Sequence, residues 1–328
     1  MRTISQLKPL IPGIKHGTGR SSKILPIIFG ILIGLFLGHI LDFEHETEID
    51  TITKSKINDL YSHKIPDAEK DIYLRCIILI QKKPNKFIEA VKDTYGKRCN
   101  ETLYFTSIKK LEENFVGQLE IYHIGGNLDP RKYHIFHEIL AYTSGMKKKY
   151  KNIWSIFLNE QNYLVTANMR HFLSRLSIEK FIIVGRISNI KSFYDYIFPF
   201  SSTVMFDINA GLAMSEAAVE KIIQNQYSCS PSHWGIPSYT GKALLQCCKA
   251  LNFEIWDPVD TENKRLFLSK SPRNLFATSQ YAVFGKTFEE SQKISECCSD
   301  SAIVFGLVNY RDQRVIDYTL EKTRVFGI

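Results

Sequence analysis

The chain has 328 residues, is 44% hydrophobic and carries a formal net charge of +8. This length and apolar content are enough for one sizeable domain or two small ones. Residues 1–23 contain no acidic residue and contribute five of the positive charges, from Arg2, Lys8, Lys15, Arg20 and Lys23. Because the rest of the chain is only mildly basic, nucleic-acid binding is not expected.

Residues 24–41 form an 18-residue run without Asp, Glu, Lys or Arg. At 1.5 Å per residue, a helix of this length spans about 27 Å, close to the thinner membranes of the early secretory pathway. A cleaved signal peptide is the alternative, but its apolar region is usually about 7–15 residues, and no small-x-small cleavage site follows here. With basic residues before it and acidic residues after it, the run predicts a retained signal anchor, with a cytoplasmic tail at 1–23 and residues 42–328 luminal.

Gly30, Gly34 and Gly38 recur every four residues within the predicted anchor, so a helix places them on one face. Small residues on one face of a membrane helix let a second helix approach closely. Glycine is also common in membrane helices, and chance spacing is the alternative. The pattern therefore gives a homodimer through this face as one hypothesis.

Residues 42–70 are polar and weakly patterned and are predicted to form a luminal stem before a domain at 71–328. From Tyr73 onward, segments with strand and helix patterns alternate, which is typical of an α/β domain with a mostly parallel sheet covered on both faces. The predicted strands are 73–80, 103–107, 118–126, 154–158 and 180–186. The predicted helices are 87–95, 131–150, 168–176 and 216–226, the last with Ser215 as its N-cap.

The sequence contains few of the motifs that mark phosphate, redox, metal or acid–base sites. No Gly-rich phosphate loop and no C-x-x-C pair is present. His134 and His137 are three residues apart on a predicted helix, but two ordinary helix histidines are favoured over a metal site. Asp195, Asp207 and Asp257 are isolated in sequence and are interpreted as turn or cap residues.

All seven cysteines lie after the predicted anchor, where an oxidising lumen favours disulfides. Cys76 is on the first predicted strand and Cys99 follows the first helix, so a bridge between them would staple the first β-α unit. The only N-x-[ST] sequon is at Asn100, which is a glycosylation acceptor if this part of the chain is luminal.

Three elements in order carry a resemblance to a known family. They are Cys76, the segment Thr94–Cys99 ("TYGKRC", matching T-[WY]-x-x-R-C) and Cys297–Ala302 ("CCSDSA"), and the chain then ends in "RVFGI". Over about residues 72–328 the chain resembles the core 1 β1,3-galactosyltransferase family, and within it the non-catalytic Cosmc-like chaperones. The resemblance implies a GT-A-like fold, which in active members binds a UDP-sugar through Mn²⁺.

The catalytic elements that the resemblance leads one to look for are missing. "WSIFLNEQNYL" aligns without gaps with the family segment W-F-L-[KRQ]-x-D-D-D-[TS]-Y-V, so that Asn159, Glu160 and Gln161 stand where the three aspartates would be. Gly306 takes the place of the metal histidine in C-C-S-D-x-A-x-x-F-H. The segment between Cys229 and Cys247, where the catalytic base is expected, contains no Asp or Glu. We therefore expect no metal, no cofactor and no catalytic residue.

The resemblance with these losses implies a chaperone in the endoplasmic reticulum or Golgi, whose client is core 1 β1,3-galactosyltransferase and which supports mucin-type O-glycan synthesis. The alternative is a divergent transferase that moves galactose from UDP-galactose to O-linked N-acetylgalactosamine. A pseudoenzyme with another partner is a further reading.

The resemblance also implies a second bridge, Cys229–Cys247. Adjacent cysteines are closer, at about 3.8 Å between Cα atoms, than the usual disulfide range. We therefore expect Cys248 to bridge to Cys297 or Cys298, with one thiol left over.

Overall fold

The computed structural model describes residues 29–34, 72–80, 84–108, 119–124, 133–146, 152–190, 203–225, 229, 240–276 and 298–322. The chain forms two compact units, Met1–Ile49 and Asp50–Ile328. In the first unit, residues 29–34 are helical. Within the described ranges, no helix is both long enough and apolar enough to cross a membrane. The tail, the stem, Gly38 and the other residues of the predicted anchor lie outside these ranges, so the anchor stays a prediction.

Short strands and helices alternate through the second unit. The strands are β1 Tyr73–Ile80, β2 Glu101–Thr106, β3 Ile121–His123, β4 Ile153–Asn159, β5 Tyr163–Leu164, β6 Ile182–Gly185, β7 Ile187–Ile190, β8 Thr203–Phe206, β9 Leu212–Ser215, β10 Glu254–Trp256, β11 Phe267–Leu268 and β12 Val304–Phe305. The α-helices are α1 Pro84–Asp93, α2 Tyr133–Ser144, α3 Thr166–Leu173, α4 Glu216–Gln224, α5 Thr240–Ala250 and α6 Tyr310–Lys322. Two 3₁₀ helices cover Tyr95–Arg98 and Ile208–Ala210.

A seven-stranded sheet forms the centre of this unit, in the order β10-β6-β9-β4-β1-β2-β3. Every neighbouring pair is parallel except those that involve β9, which runs antiparallel to β4 and to β6. A small sheet, β11-β12-β5, and a two-stranded ribbon, β7-β8, complete the strands. The prediction of an α/β domain with a mostly parallel sheet is confirmed.

The central strand β1 shows that the sheet is covered on both faces. Leu74 and Ile78 belong to one apolar cluster, while Ile77 and Leu79 belong to another. Successive side chains of a strand point to opposite faces, so these two clusters are the two sides of the sheet. Residues of α1 and α3 fill the first cluster, and residues of α2, α4 and α5 fill the second. Strands buried on both faces explain the nearly continuous apolar run of β1.

The predicted strand and helix bounds agree best with the structure where the apolar pattern in the sequence is long. Strand β1 has the bounds that were predicted, and Ser215 caps α4 by accepting a hydrogen bond from the N–H of Ala218 at 3.2 Å. Helix α3 starts two residues earlier and ends three residues earlier than predicted. The patterns missed β5 and β7 to β12, because these strands have only two to four residues and carry no readable periodicity.

Two disulfides form between the expected cysteines. Cys76 is bonded to Cys99 and Cys229 to Cys247, with Cα–Cα distances of 6.1 and 4.6 Å. The first bridge joins β1 to the segment between α1 and β2, as the sequence predicted.

The expected bridge from Cys248 is wrong, because Cys248 is a free, buried thiol. Cys247 and Cys248 are consecutive on α5, so their side chains point about 100° apart. Both side chains lie in the apolar cluster on the α5 side of the sheet, but only Cys247 is directed at Cys229. Burial raises the pKa of its thiol well above the usual range. Cys298 is itself disulfide-bonded, and Cys297 lies outside the described residues.

Candidate functional site

The turn from β4 to β5 lies at the carboxyl edge of the parallel strands, where α/β proteins commonly bind their ligands. It begins at Asn159, which pairs in register with Leu79 of β1. The N–H of Glu160 donates to the carbonyl oxygen of Leu79 at 3.1 Å. The turn is therefore attached to the middle of the sheet.

Two asparagine side chains hold the turn together from inside. Asn159 Oδ1 accepts from the N–H of Gln161 at 2.9 Å, and Asn162 Oδ1 accepts from the N–H of Asn159 at 2.7 Å. Asn162 Nδ2 donates to the carbonyl oxygen of Asn209 at 2.7 Å. Asn162 is completely buried. These amides are thus already engaged with backbone groups of the chain.

The C-terminal segment binds the same turn. Val308 N–H donates to the carbonyl oxygen of Gln161 at 2.7 Å. Gln313 of α6 donates through Nε2 to the carbonyl oxygens of Glu160 and Asn162, at 2.9 and 3.1 Å. Three consecutive carbonyl groups of the turn are satisfied by this segment, which fixes α6 against the end of β4.

Gly306, at the position of the implied metal histidine, lies beside this turn. Phe305 pairs with Tyr163 in the small sheet, which brings Gly306 next to Asn162 and its partner Asn209. A Cβ built on Gly306 would be 2.4 Å from the carbonyl oxygen of Asn209 and 2.6 Å from that of Ser269. Contacts this short do not occur between real atoms, so a histidine does not fit here unless the backbone moves.

The residues at this edge do not fit a manganese ion that carries a diphosphate. Glu160 contributes the only carboxylate of the turn and is 3% exposed. Asn159 and Gln161 bring no charge, whereas hard divalent cations bind through carboxylate oxygens. Within the described ranges, no group of three or more His, Cys, Asp or Glu side chains could hold a metal ion. The four positions singled out by the resemblance lie together, but their chemistry is not that of a metal site.

The segment Thr94–Cys99 has a structural role in every position that matches the family element. Thr94 Oγ1 donates to the carbonyl oxygen of Ala90 at 2.6 Å, and Cys99 is in the first disulfide. Tyr95, fully buried, packs edge to face against Tyr163 with ring centroids 5.7 Å apart. This segment therefore closes α1 and joins it to the core.

Arg98 of the same segment forms an ion pair with Asp317 of α6. Both groups also contact the hydroxyl of Tyr163, which donates to Asp317 at 3.0 Å and accepts from Arg98 at 3.2 Å. Burial and the neighbouring Asp317 raise the pKa of the Tyr163 hydroxyl, so it stays protonated and can donate. Sequence reasoning did not predict this cluster, because Arg98 and Asp317 are 219 residues apart.

Asn100, the expected glycosylation acceptor, is exposed, and its carboxamide oxygen is engaged. Asn100 Oδ1 accepts from the N–H of Leu74 at 2.9 Å and from Arg170 at 2.8 Å. The same guanidinium group of α3 donates to the carbonyl oxygens of Ile72 and Arg98, at 2.6 and 3.0 Å. Arg170 therefore clamps the start of β1 to the start of β2.

The isolated histidines and aspartates are structural where they can be described. His137 is buried on α2, and desolvation lowers its pKa; the side chain of His134 and all of Asp195 lie outside the described parts of the chain. Asp207 caps the second 3₁₀ helix by accepting from the N–H of Asn209 at 3.1 Å, as predicted. Asp257 follows β10 and forms a partly buried ion pair with Arg265, which sequence reasoning did not predict.

The fold and the site thus define an α/β protein with a mostly parallel sheet and an amide-rich turn at its carboxyl edge. No protein-family profile matches the chain. Among solved structures, it is similar to the galactosyltransferase LgtC in complex with donor and acceptor sugar analogues, at a TM-score of 0.38 and 8% identity over 76% of this chain and 97% of that one. It is also similar to the apo form of the glycosyltransferase GlyE of Streptococcus pneumoniae TIGR4, at a TM-score of 0.36 and 10% identity over 72% of this chain and 54% of that one.

Proposed function

We propose that this chain is a non-catalytic, glycosyltransferase-like protein with a degenerate GT-A-like domain, and that it acts as a Cosmc-like chaperone for core 1 β1,3-galactosyltransferase. The observation that carries the proposal is the state of the carboxyl edge. Where the resemblance places metal ligands, the chain has Asn159, whose side-chain oxygen already accepts from the backbone of Gln161, and a glycine with no room for a side chain.

The charge balance at this edge argues against binding of a nucleotide sugar. A UDP diphosphate carries about two or more negative charges, and a metal held by carboxylates normally offsets them in this type of site. Here the turn offers only Glu160, which is 3% exposed. A diphosphate placed at this turn would face carbonyl and amide oxygens, so its desolvation would not be compensated.

Among the described residues, those of the first β-α unit that match the family serve the scaffold. Cys76 and Cys99 form a bridge, and Arg98 pairs with Asp317 of the C-terminal helix. A chain that keeps its fold and lacks its chemistry can still recognise a related polypeptide. This combination favours a role in partner folding over a role in catalysis.

The proposed location is the membrane of the endoplasmic reticulum or Golgi, with residues 24–41 as a type II anchor and the C-terminal domain luminal. The client has to fold in the same compartment, where disulfides form. A homodimer through Gly30, Gly34 and Gly38 is compatible with this arrangement.

The alternative is a divergent galactosyltransferase that uses Glu160 as its one carboxylate. That reading requires the buried Glu160 to become accessible and a base to be supplied from elsewhere. It predicts that the purified chain itself transfers galactose, whereas the chaperone reading predicts that only the client does.

The test is a rescue experiment in cells that express the galactosyltransferase but lack its chaperone. The full-length chain is expected to restore transferase activity and to co-purify with the transferase. A matched variant, Cys76→Ala/Cys99→Ala, disrupts the scaffold and is expected to rescue less. A folded, correctly located chain that gives no rescue, or a purified chain that transfers galactose alone, would contradict the proposal.

A further inference from the structure

We infer that the β4–β5 turn has become a closed latch that holds the C-terminal helix on the sheet, and that Asn162 is its central residue. The resemblance drew attention to the three residues before Asn162, and this position was not expected to matter. The inference concerns how the former ligand edge is built, so it stands or falls independently of the chaperone role.

Asn162 has to be an amide in this arrangement. Its Oδ1 accepts from the N–H of Asn159 at 2.7 Å, while its Nδ2 donates to the carbonyl oxygen of Asn209 at 2.7 Å. Unlike an ionised carboxylate of the same length, a carboxamide offers a donor and an acceptor on two separate atoms. An aspartate could keep the first bond, but it would place a carboxylate oxygen against the carbonyl oxygen of Asn209. At a completely buried position such a contact is strongly unfavourable.

The carbonyl oxygen of Asn209 is the point where three segments meet. It accepts from Asn162, and it is the closest atom to a Cβ built on Gly306, at 2.4 Å. The loop after β8, the turn after β4 and the chain after β12 are therefore in direct contact there. A side chain at position 306 would separate them.

Gln313 extends the latch to α6. It is fully buried, and its Nε2 group donates to two carbonyl oxygens of the turn, those of Glu160 and Asn162. Buried carbonyl groups need donors, and Gln313 supplies one to each of these two. The edge that a metal-dependent transferase needs open is here filled by backbone and amide groups of the chain itself.

A matched pair of substitutions tests whether the turn holds the structure together through Asn162 or can still accept the carboxylates of a metal site. Asn159 and Asn162 are three residues apart, and both change to aspartate by the same chemical step. Asn159 Oδ1 only accepts, from the N–H of Gln161 at 2.9 Å, and a carboxylate can do the same. Asn159→Asp should therefore be tolerated, and Asn162→Asp should not.

The experiment is thermal unfolding of the full-length protein in detergent, with and without MnCl₂ and UDP. We expect Asn159→Asp to stay within about 2 °C of the parent and Asn162→Asp to lose about 5–10 °C. Burial should raise the pKa of an aspartate at this position, so the loss should shrink as the pH falls and be smallest near about pH 4, because a protonated carboxyl group can again donate to Asn209. Neither variant should gain stability from Mn²⁺ and UDP.

Equal unfolding temperatures for the two variants, or stabilisation of either one by Mn²⁺ with UDP, would overturn the inference. If Asn162→Asp does not fold well enough to purify, Gln313→Met removes the two donated bonds without adding charge. Hydrogen exchange on that variant should then show faster exchange at the N–H of Val308 than in the parent. Unchanged protection at Val308 would contradict the latch.

Discussion

The first β-α unit and the β4–β5 turn are two polar regions that hold the same helix in different ways. Helix α6 is bound at the first region through the ion pair of Asp317 with Arg98, and at the second through the bonds of Gln313 to the turn. The first region matches the family element T-[WY]-x-x-R-C at each fixed position. The second departs from the family pattern at each position where chemistry would be expected.

This difference separates two kinds of polar residue. Those that match the family have side chains committed to the scaffold, such as Thr94 and Cys99. Those that depart from it, such as Asn159, lie in the β4–β5 turn at the carboxyl edge of the sheet. The turn is nevertheless well bonded, because its polar groups pair with backbone and side-chain groups of the chain itself.

Loss of the disulfide in the first region should give the largest decrease in the free energy of unfolding. Cys76→Ala/Cys99→Ala opens a loop with a sequence separation of 23, and the chain-entropy estimate gives a loss of about 3 kcal/mol in the free energy of unfolding. Denaturant unfolding measures it, with thiol counting to verify that Cys229 and Cys247 remain bridged. An unchanged transition midpoint would show that this region is not a scaffold.

The ion pair between the first region and α6 should give the next largest effect. Asp317→Asn leaves the side chain of Arg98 without its counter-charge in a partly buried site, and we expect a loss of about 2 kcal/mol. The double variant Arg98→Met/Asp317→Asn should be less destabilised than the sum of the two single variants. Additive losses in denaturant unfolding would mean that the two groups do not interact.

Thr94 offers a smaller test with a control elsewhere in the chain. Its Oγ1 donates to the carbonyl oxygen four residues earlier at 2.6 Å and is buried, whereas Thr319 makes the same type of bond at 2.8 Å on the exposed side of α6. Thr94→Val should lose about 1 kcal/mol of unfolding free energy and Thr319→Val about none. Equal losses for the two variants would show that the hydrogen bond alone, and not its burial in the first region, determines the loss of unfolding free energy.

The smallest expected effect is a pH dependence that arises outside both regions. His137 is buried on α2, and desolvation holds its pKa below the usual value. A histidine of this kind takes up a proton more readily in the unfolded chain. Its contribution to stability is therefore complete above about pH 6.5 and is lost as the pH falls toward its lower, folded pKa.

The variant His137→Gln should flatten this part of the profile. The measurement is the unfolding temperature between about pH 5 and pH 8. A parent and a variant with parallel profiles would show that another group controls the pH dependence in this range.

The sequence was sufficient for the features that depend on local pattern. The apolar run of β1, the cap at Ser215 and the bridge within the first β-α unit could all be predicted because their partners are close in the chain or follow a period. The free thiol of Cys248 could not, since the direction of a side chain on α5 decides it.

The long-range polar contacts were also beyond sequence reasoning. The two hydrogen bonds that Gln313 donates span sequence separations of 153 and 151. The bond from Asn162 to Asn209 spans a separation of 47. An asparagine after a strand carries no sign of its distant partner. The sequence showed which residues were absent from the expected metal site, and only the structure showed what replaced them.

Calorimetric titration of the purified protein with UDP in the presence of Mn²⁺ tests whether the domain has a working nucleotide-sugar site. An active core 1 β1,3-galactosyltransferase under the same conditions serves as the positive control. Because Asn159, Gln161 and Gly306 stand at the expected ligand positions, we expect no heat of binding for this chain while the control saturates. Manganese-dependent binding of UDP at about micromolar concentrations would contradict it.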